Sequence, residues 1–558
     1  MSLLLFAFLS FFSFGDTIRV PQDYVDIQFA IILAETNDEI IVSTGTYNEN
    51  ISFMGKDIIL RSTDPDNPGV VENTIINGQN LGWVVLFFGT ESESSVLSGF
   101  TITKGNAKYG GGINGNGSHA KIQNNRITGN MADFGGGLYQ CGGSIRNNTI
   151  TGNTAAGGGG LYQCNGTILN NSIMGNMAEG EGGGLFDCDG MIQNNMITGN
   201  TGHDHGGGLM YCDGTIQNNM IIGNTAQYDG GGLLYCNGMI KNNIITGNIV
   251  HYGGGGLGGC DGMIQNNTIF ENNGGYSGGG LGGCQGTIQN NTIMNNNAMR
   301  GGGLNFCYGT IQNNIIINNM AFFGGGFDDC NGTIRNNTIS DNKAVGRLLS
   351  AGGGLNECYG TIKNNFICRN SAVNGGGLDG CSGGAISNNT IWNNRATGIG
   401  GGISECGSDI KNSIIWGNIA PGGGAQLDDH SSTPTYSCIE DWIRGGTGNI
   451  SSDPMFNFTE MGDFHLKADS PCIDAGCLIM DLTTDFEGDA RGYDGSADPR
   501  GDGSDYDIGA DEYNGTVPLL KDILIDYILG RLPKTGVDFN GDNVIDAADL
   551  IRLIKNGQ

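Results

Sequence analysis

Twelve cysteines fall at nearly constant intervals through the middle of this chain, at 141, 164, 188, 212, 236, 260, 284, 307, 330, 358, 381 and 406. The steps are 23 or 24 residues, apart from one of 28 (Cys330 to Cys358) and one of 25 (Cys381 to Cys406). Each cysteine marks one copy of a phrase that runs from about Gly111 to Asn418. A clean copy is Gly230-Gly231-Gly232-Leu233-Leu234-Tyr235-Cys236-Asn237-Gly238-Met239-Ile240-Lys241-Asn242-Asn243-Ile244-Ile245-Thr246-Gly247-Asn248. A unit this short cannot bury its apolar side alone, so the copies must stack on one another. That requirement outranks any local reading of secondary structure.

A period near 24 suits either leucine-rich repeats or the coils of a parallel β-helix. Leucine-rich repeats need several leucines and usually a helix per copy. Here each copy has about one Leu, its other apolar positions are mostly Ile, and no helix fits between the glycines and the Asn pair. Three short apolar pieces recur: Leu-x-x-Cys, Thr/Met-Ile, and Ile or Met-Ile after the Asn pair. Gly and Asn bound them, the residues that tolerate left-handed turns. The expected fold is therefore all-β, a three-faced parallel β-helix. Coils would stack at about 4.8 Å. Asn195, Asn219, Asn243, Asn267 and Asn291 then form an internal hydrogen-bonded ladder, and the cysteines a second buried column. In-register parallel neighbours point their Cβ atoms the same way, which is poor geometry for a disulfide. The twelve periodic cysteines are expected to be free thiols.

Residues 1–15 form an apolar run, Met1 to Phe12, closing in Ser13-Phe14-Gly15. This reads as a secretory signal peptide, too short to span a bilayer, and implies a secreted or cell-surface protein. In residues 16–105, Ile27, Ala30, Ile31 and Ala34 have helical spacing behind Asp26 as N-cap. Strand-like pieces follow at Glu39–Val42, Gly45–Ile51 and Lys56–Ser62. A short amphipathic helix feeding into coils is a cap that seals the open end of a solenoid. This opening resembles the N-terminal cap of the pectin lyase-like β-helix superfamily. The array at 106–425 resembles the right-handed β-helix repeats of secreted bacterial proteins, which implies a right-handed coil. Its Asn130-Met131-Ala132 and Gly135-Gly136-Gly137-Leu138 phrase is similar to the repeats of polymorphic outer-membrane adhesins.

Over 426–513 the repeat decays through Tyr436-Ser437-Cys438-Ile439, Asp453-Pro454-Met455-Phe456, Asp463-Phe464-His465-Leu466, Ser470-Pro471-Cys472-Ile473-Asp474-Ala475-Gly476 and Asp507-Ile508-Gly509-Ala510-Asp511-Glu512-Tyr513. This succession resembles the C-terminal region of choice-of-anchor Q β-helix proteins, which implies an exported chain ending in an anchoring module. Cys472 and Cys477 are spaced for a local disulfide in such a protein; Cys368 and Cys438 have no evident partner. The terminal module, 514–558, has helical periodicity at Leu520, Ile523, Leu524, Tyr527 and Ile528. A second apolar helix, Leu550–Ile554, follows an acidic loop. In that loop Asp538, Asn540, Asp542, Val544 (through its carbonyl), Asp546 and Asp549 stand at EF-hand positions 1, 3, 5, 7, 9 and 12, the converging oxygen set that Ca2+ needs. The module resembles half of a type I dockerin. That implies Ca2+ as cofactor and a cohesin-like or cell-envelope partner. Asn543 replaces the usual Gly at position 6, and only one loop is present where full dockerins carry two.

The net charge of −30 excludes nucleic acid as a partner, since that needs a basic footprint, and disfavours unaided binding of polyanionic pectin. Nothing in the sequence calls for more than a monomer. Chemistry must sit where the copies differ. Two columns vary most: the turn before the glycines and the pair of residues before each Cys. In the equally spaced coils this collects Glu179, Glu181, His203, Asp204, His205, Gln227, Tyr228, Asp229, His251, Tyr252 and Tyr276, with Tyr211 and Tyr235 just downstream. Aromatic faces pack on sugar rings and carboxylates bind hydroxyls. Tyr211, Tyr228, Tyr235, His251 and Tyr252 are the candidate glycan-binding residues. His203, His205, Asp229 and Glu181 are the candidate catalytic ones, as paired carboxylates or a His–carboxylate base. A second acidic series, Asp328, Asp329, Glu357, Asp379 and Glu405, reads as a solvated edge. The motif set of polygalacturonases is not assembled, nor are the clustered aspartates facing an arginine of pectate lyases; Arg300 is the only arginine in a turn before the glycines. The expected function is binding, and in one reading cleaving, extracellular polysaccharide; such an enzyme would be a polysaccharide lyase or glycoside hydrolase. The alternative is a non-catalytic, adhesin-like surface protein in which the solenoid is a spacer.

Overall fold

The structure is a computed structural model that describes residues 15–515, apart from 347–349, 429, 431, 460–462 and 497–499. The signal-peptide run and the calcium loop at 538–549 lie outside the described residues. The chain divides into two compact units, Met1–His203 with Tyr211–Thr215, and Asp204–Met210 with Ile216–Gln558.

The first unit opens on the helix Ile27–Leu33. Asp26 caps it, its carboxylate accepting from Phe29 N at 2.7 Å, and Ile27, Ala30 and Ile31 are buried. A second short helix, Pro68–Asn73, starts on the Asn67 cap and was not legible in the sequence pattern. Parallel strands then stack one per coil, from Thr17–Val20 on Glu39–Val42 and Ile59–Ser62 through to Thr167–Leu169 on Met191–Gln193.

The second unit shows the coil most clearly. Its three main faces hold strands such as Met239–Lys241, Ile244–Thr246 and Leu233–Leu234, each paired in parallel with the same stretch 24 residues on. Identical residues therefore lie over one another: Ile240 over Ile264, Ile245 over Ile269, Leu233 over Leu257. Leu233, Cys236, Ile240 and Ile245 are wholly buried, so each coil fills its own slice of a continuous apolar core. Both units are parallel β-solenoid, as the repeat requires.

The three-strand reading is incomplete in one respect. A fourth short strand appears in many coils, as at Met131–Phe134, Thr154–Gly157 and Met320–Ala321. The Ala of the Asn-x-Ala phrase anchors it, with Ala155 and Ala321 buried. The chain turns at left-handed residues, as at Gly230, Tyr235, Asn242 and Gly247 in one coil, where φ is +67°, +49°, +55° and +63°.

The Asn ladder is present and doubled. Asn243 N and Nδ2 donate to Asn267 Oδ1 at 2.9 and 3.0 Å, and Asn243 Nδ2 also donates to Ile216 O at 2.9 Å. The same pattern links Asn267 to Asn291 and Asn291 to Asn314. A second ladder runs five residues on, through Asn248, Asn272, Asn296 and Asn319. Both bury a polar corner with its donors and acceptors satisfied. Register also holds across the 28-residue copy, where Asp328 pairs with Asn356 and Ile334 with Ile362.

All sixteen cysteines are free, and all but Cys477 are buried. The periodic thiols bond locally, as Cys236 Sγ does to Leu234 O at 3.4 Å. Cys472 and Cys477 are not bridged. Cys472 lies against Cys438, while Cys477 Sγ contacts Asn412 Oδ1 at 3.3 Å. The turn after Ala475 carries residue 477 out to the side of the coils, away from the buried position of 472.

The region from 456 to 515 does more than close an end: it straps back along the side of the preceding coils. Lys363 Nζ pairs with Asp481 at 2.5 Å, Arg491 Nη2 donates to Asn364 Oδ1 at 2.9 Å, and Ala510 N donates to Thr390 Oγ1 at 3.2 Å. Phe366, Ile414, Phe464, Ile473 and Ile508 form the buried apolar layer beneath it.

Candidate functional site

The outer side of the face carrying the Leu-x-x-Cys strands holds the most varied chemistry. In the second unit the residue two before each Cys makes a column, Leu234, Gly258, Gly282, Asn305, Asp328, Asn356, Asp379 and Ser404, paired coil to coil. Its members are about 4.8 Å apart. It passes from apolar, through two glycines, to polar. The next residue in each coil has a left-handed backbone: φ is +49° at Tyr235, +53° at Phe306 and +47° at Glu357. A side chain there costs about 1–2 kcal/mol relative to Gly. Glycine does occupy the position at 259 and 283. Aromatic and acidic residues are held there at that cost, as at Tyr235, Phe306 and Glu357.

Where glycine occurs, a groove opens. Gly258, Gly259, Gly282 and Gly283 form its floor, Tyr235, Tyr252 and Phe306 its aromatic walls, and Asp229 and Ser277 polar points on its edge; it encloses about 290 Å³. A Cβ on Gly259 would stand 2.5 Å from the Tyr235 ring, so the ring lies directly over that glycine. Tyr252 also borders a second shallow pocket with His251, Tyr276 and Met299.

The groove leads into a polar chain. Ser277 Oγ donates to Asn305 Oδ1 in a short hydrogen bond. Asn305 Nδ2 donates to Asp328 Oδ2 at 2.8 Å, and Asn356 Nδ2 to Asp328 Oδ1 at 2.6 Å. Arg300 Nε donates to Asp328 Oδ2 at 2.7 Å, and its Nη2 reaches Glu357 Oε2 at 3.1 Å. The guanidinium also covers the Phe323 ring at 5.2 Å. The Asp328 side chain is wholly buried. Burial pushes its pKa up, while Arg300 and Asn356 pull it back down.

One coil beyond Asn356, Asp379 is the most perturbed group on this face. Burial raises its pKa to about 7, and the nearby charges of Glu405 and Glu357 add to the rise. Its Oδ1 is buried without a hydrogen-bond partner. A carboxyl poised near neutrality can give or take a proton at working pH. The expectation of a solvated acidic edge therefore fails at Asp328, which is wholly buried, and holds only in part at Asp379, which is half-buried with Oδ1 shielded. It holds for Glu357 and Glu405, which are exposed, while Asp329 is half-buried.

The sequence-derived candidates fall as follows. His205 Nδ1 stands 3.8 Å from Asp229 Oδ2, beyond hydrogen-bond length. Burial raises the Asp229 pKa and His205 lowers it. The Tyr228 ring lies 5.3 Å from His205 and stacks on Tyr252 at 5.8 Å. Asp229, Tyr235 and Tyr252 line the groove itself, and His251 lines the neighbouring pocket. Glu181, His203 and Tyr211 belong to the first unit. Glu181 ends the strand Met177–Glu181, His203 N donates to Ala178 O at 2.9 Å, and the Tyr211 ring meets Phe186 edge-on at 5.6 Å.

Sequence reasoning passed over Arg300, Asn305, Asn356 and Asp379 as a site. Its one available signal was Arg300, alone in its turn column. It also missed an aromatic stack in the first unit, where Tyr139 stacks on Tyr162 at 5.6 Å and Tyr162 on Phe186 at 5.0 Å. Those rings cover one another's faces and leave mainly edges free.

No protein-family model matches the chain, and no curated protein matches it. Among solved structures, two show a weak similarity to it. The pectate lyase Pel9A is 11% identical, with 87% of this chain and 90% of that one covered and a TM-score of 0.23. AlyGC, an alginate lyase of the PL6 family, is 15% identical with a TM-score of 0.21. The match covers 90% of this chain and 59% of AlyGC. At such identities and superpositions neither lends its activity to this chain.

Proposed function

We propose that this chain is an exported β-helix protein that binds uncharged polysaccharide along the glycine-floored groove and is tethered through a calcium-dependent, dockerin-like terminal module. Export, calcium and tethering rest on the sequence of residues 1–15 and 514–558. The observation that carries the binding reading is the groove: four glycines remove side chains from one patch of the face, while exposed tyrosines are kept on either side. Sugar rings need a flat aromatic wall and polar points for their hydroxyls, and Tyr235, Tyr252, Asp229 and Ser277 supply both.

Cleavage, where it occurs, is hydrolysis at the polar end. Asp379 has the near-neutral pKa of a general acid, and exposed Glu357 is the second carboxylate of the pair that hydrolysis needs. A lyase acting on uronate chains needs a free cation to neutralise the substrate carboxylate, and Arg300 is already paired to Asp328 and Glu357.

The test is a polysaccharide array in the presence of Ca2+, reading both retained glycan and released reducing ends. Binding that falls on Tyr235→Ala and Tyr252→Ala, with reducing ends lost on Asp379→Asn, supports the proposal; binding to no glycan overturns it. A spacer or adhesin without glycan affinity is the second reading. The shallowness of the groove favours it, as do the Asn ladders, which stiffen the stacked coils of the second unit whatever their surface does.

A further inference from the structure

The strap that folds back along the coils carries chemistry that glycan binding does not use. His465 lies on the strand Asp463–Leu466, Glu487 in the turn after the buried Asp485, and Asp511 in the closing Asp507–Tyr513 segment. We propose that His465 Nε2, Glu487 and Asp511 together form a binding site for a divalent ion of the zinc class, which pins three separate stretches of the strap at one point.

The geometry converges without closing. Nε2 is 3.8 Å from Glu487 Oε1 and 3.9 Å from Asp511 Oδ1, and the three ligand atoms lie within 4.8 Å of one another. Both distances exceed a hydrogen bond. Donors about 2.1 Å from one ion at tetrahedral angles stand roughly 3.4 Å apart. Seating the metal needs the carboxylates to move about 0.4–0.5 Å toward Nε2 and at most about 1.4 Å toward each other.

The support behind the imidazole is what a ligating histidine needs. Nδ1 is bonded to Asp463 Oδ1 at 2.5 Å, and Asp463 is buried. That contact fixes the tautomer and turns Nε2 toward the two carboxylates, as the carboxylate behind a metal-bound histidine does. Asp463 is itself held, by Asn457 Nδ2 at 2.6 Å and His465 N at 3.1 Å. Asp511 Oδ2 accepts from Leu466 N at 3.0 Å, which leaves Oδ1 facing the ring.

The donor set selects the ion. Calcium and magnesium prefer oxygen alone, whereas one imidazole with two carboxylates suits zinc and its first-row neighbours. Glu487 is exposed, so a fourth position is open to water and the ion has a way in. The site is separate from the acidic terminal loop, whose donors are all oxygens.

The test uses the full chain, stripped with chelator, kept reduced and saturated with Ca2+ so that the terminal loop is filled. Titration with ZnCl2 is followed by calorimetry and by metal analysis after desalting. The expected result is one zinc per chain at micromolar or tighter affinity, with a raised Tm. Glu487→Gln and His465→Gln should each weaken uptake at least about 10-fold. Glu487 is on the surface, so Glu487→Gln decides the matter if His465→Gln misfolds. With CoCl2 the visible bands should be those of nitrogen and oxygen ligands; an intense near-ultraviolet thiolate band would instead put the metal on cysteine. Absence of zinc uptake at about 100 µM, a thiolate spectrum, or unchanged uptake by Glu487→Gln would overturn the site, leaving an imidazolium held among carboxylates.

Discussion

Replacing Asn267 with Ala isolates the contribution of the ladder to the fold. Four hydrogen bonds use this side chain. Its Nδ2 donates to Ile240 O at 2.9 Å and Asn291 Oδ1 at 3.0 Å, and its Oδ1 accepts from Asn243 N at 2.9 Å and Asn243 Nδ2 at 3.0 Å. Removing it leaves the buried Asn243 N–H without that acceptor, a loss worth about 1–3 kcal/mol, and the other bonds add roughly 1 kcal/mol each at most. A cost of about 3–5 kcal/mol follows. A solenoid need not melt in one step, so the measurement is native-state hydrogen exchange by mass spectrometry on peptides spanning residues 239–270. A loss of 3 kcal/mol should speed exchange through local opening about 150-fold. Two controls separate bonding from packing. Asn266 is exposed with φ of +55°, so Asn266→Gly should shift exchange by less than about 3-fold. Asn267→Leu restores volume but no bonds and should remain as damaged as Asn267→Ala. If Asn267→Leu recovers the wild-type rate, or Asn266→Gly matches Asn267→Ala, the ladder is packing and the hydrogen-bond account is wrong.

Asp379 holds its proton to about pH 7 in the folded chain but to about pH 4 when unfolded. Between those values the folded state binds more protons, so this group makes stability fall as pH rises from 4 to 7 and level off above. Asp379→Asn should therefore raise Tm at pH 8 and leave it unchanged near pH 4; a gain equal at both would refute burial as the cause. Gly283 lies in the groove floor with open space for a side chain, and Gln occupies the same left-handed column at 140 and 163. Gly283→Gln should cost about 1–2 kcal/mol of stability yet reduce glycan retention at least 10-fold, which an affinity column would show; unchanged retention moves the binding site elsewhere. Asp538→Ala should abolish Ca2+ uptake by the terminal loop in a calorimetric titration, without altering glycan retention by the solenoid.

The solenoid was legible in the sequence because its constraints repeat. Leu233, Cys236, Ile240, Asn243 and Ile245 each meet their own copy in the next coil, so one period exposes the whole inside. The second ladder, through Asn248, is equally periodic, but Gly247-Asn248 also has the composition of a turn, which hides its ladder role. The site resisted for a geometric reason. Arg300 bonds to Asp328, 28 residues on, and to Glu357, 57 residues on. It reaches from the turn column to the column before Cys, one and two coils ahead. Aligning copies by period places like with like and hides contacts between unlike columns. The burial of Asp328 and the half-burial of Asp379 depend on how neighbouring coils pack, which a linear pattern does not record. The strap is not periodic at all. Asp463, His465, Glu487 and Asp511 come together through its packing on the coils, and no spacing rule joins them.

Electrostatics decide what the groove can hold. A chain of net charge −30 repels polyanions over most of its surface, and a local exception would need an uncommitted cation beside the groove. Arg300 is the cation of this polar strip. Its Nε is bonded to a carboxylate that is wholly buried, so the positive charge is committed to Asp328 rather than offered to solvent. Its remaining reach is taken by Glu357. What the face presents outward is tyrosine, hydroxyl, amide and carboxylate, all suited to hydroxyl-rich, uncharged rings. Burial is the main reason the Asp379 pKa is raised. Glu357 adds to that rise, with its charge partly answered by Arg300. The Arg300–Asp328 pair thus leaves the proposed groove without that cation to offer a polyanion, while burial holds the proton on Asp379.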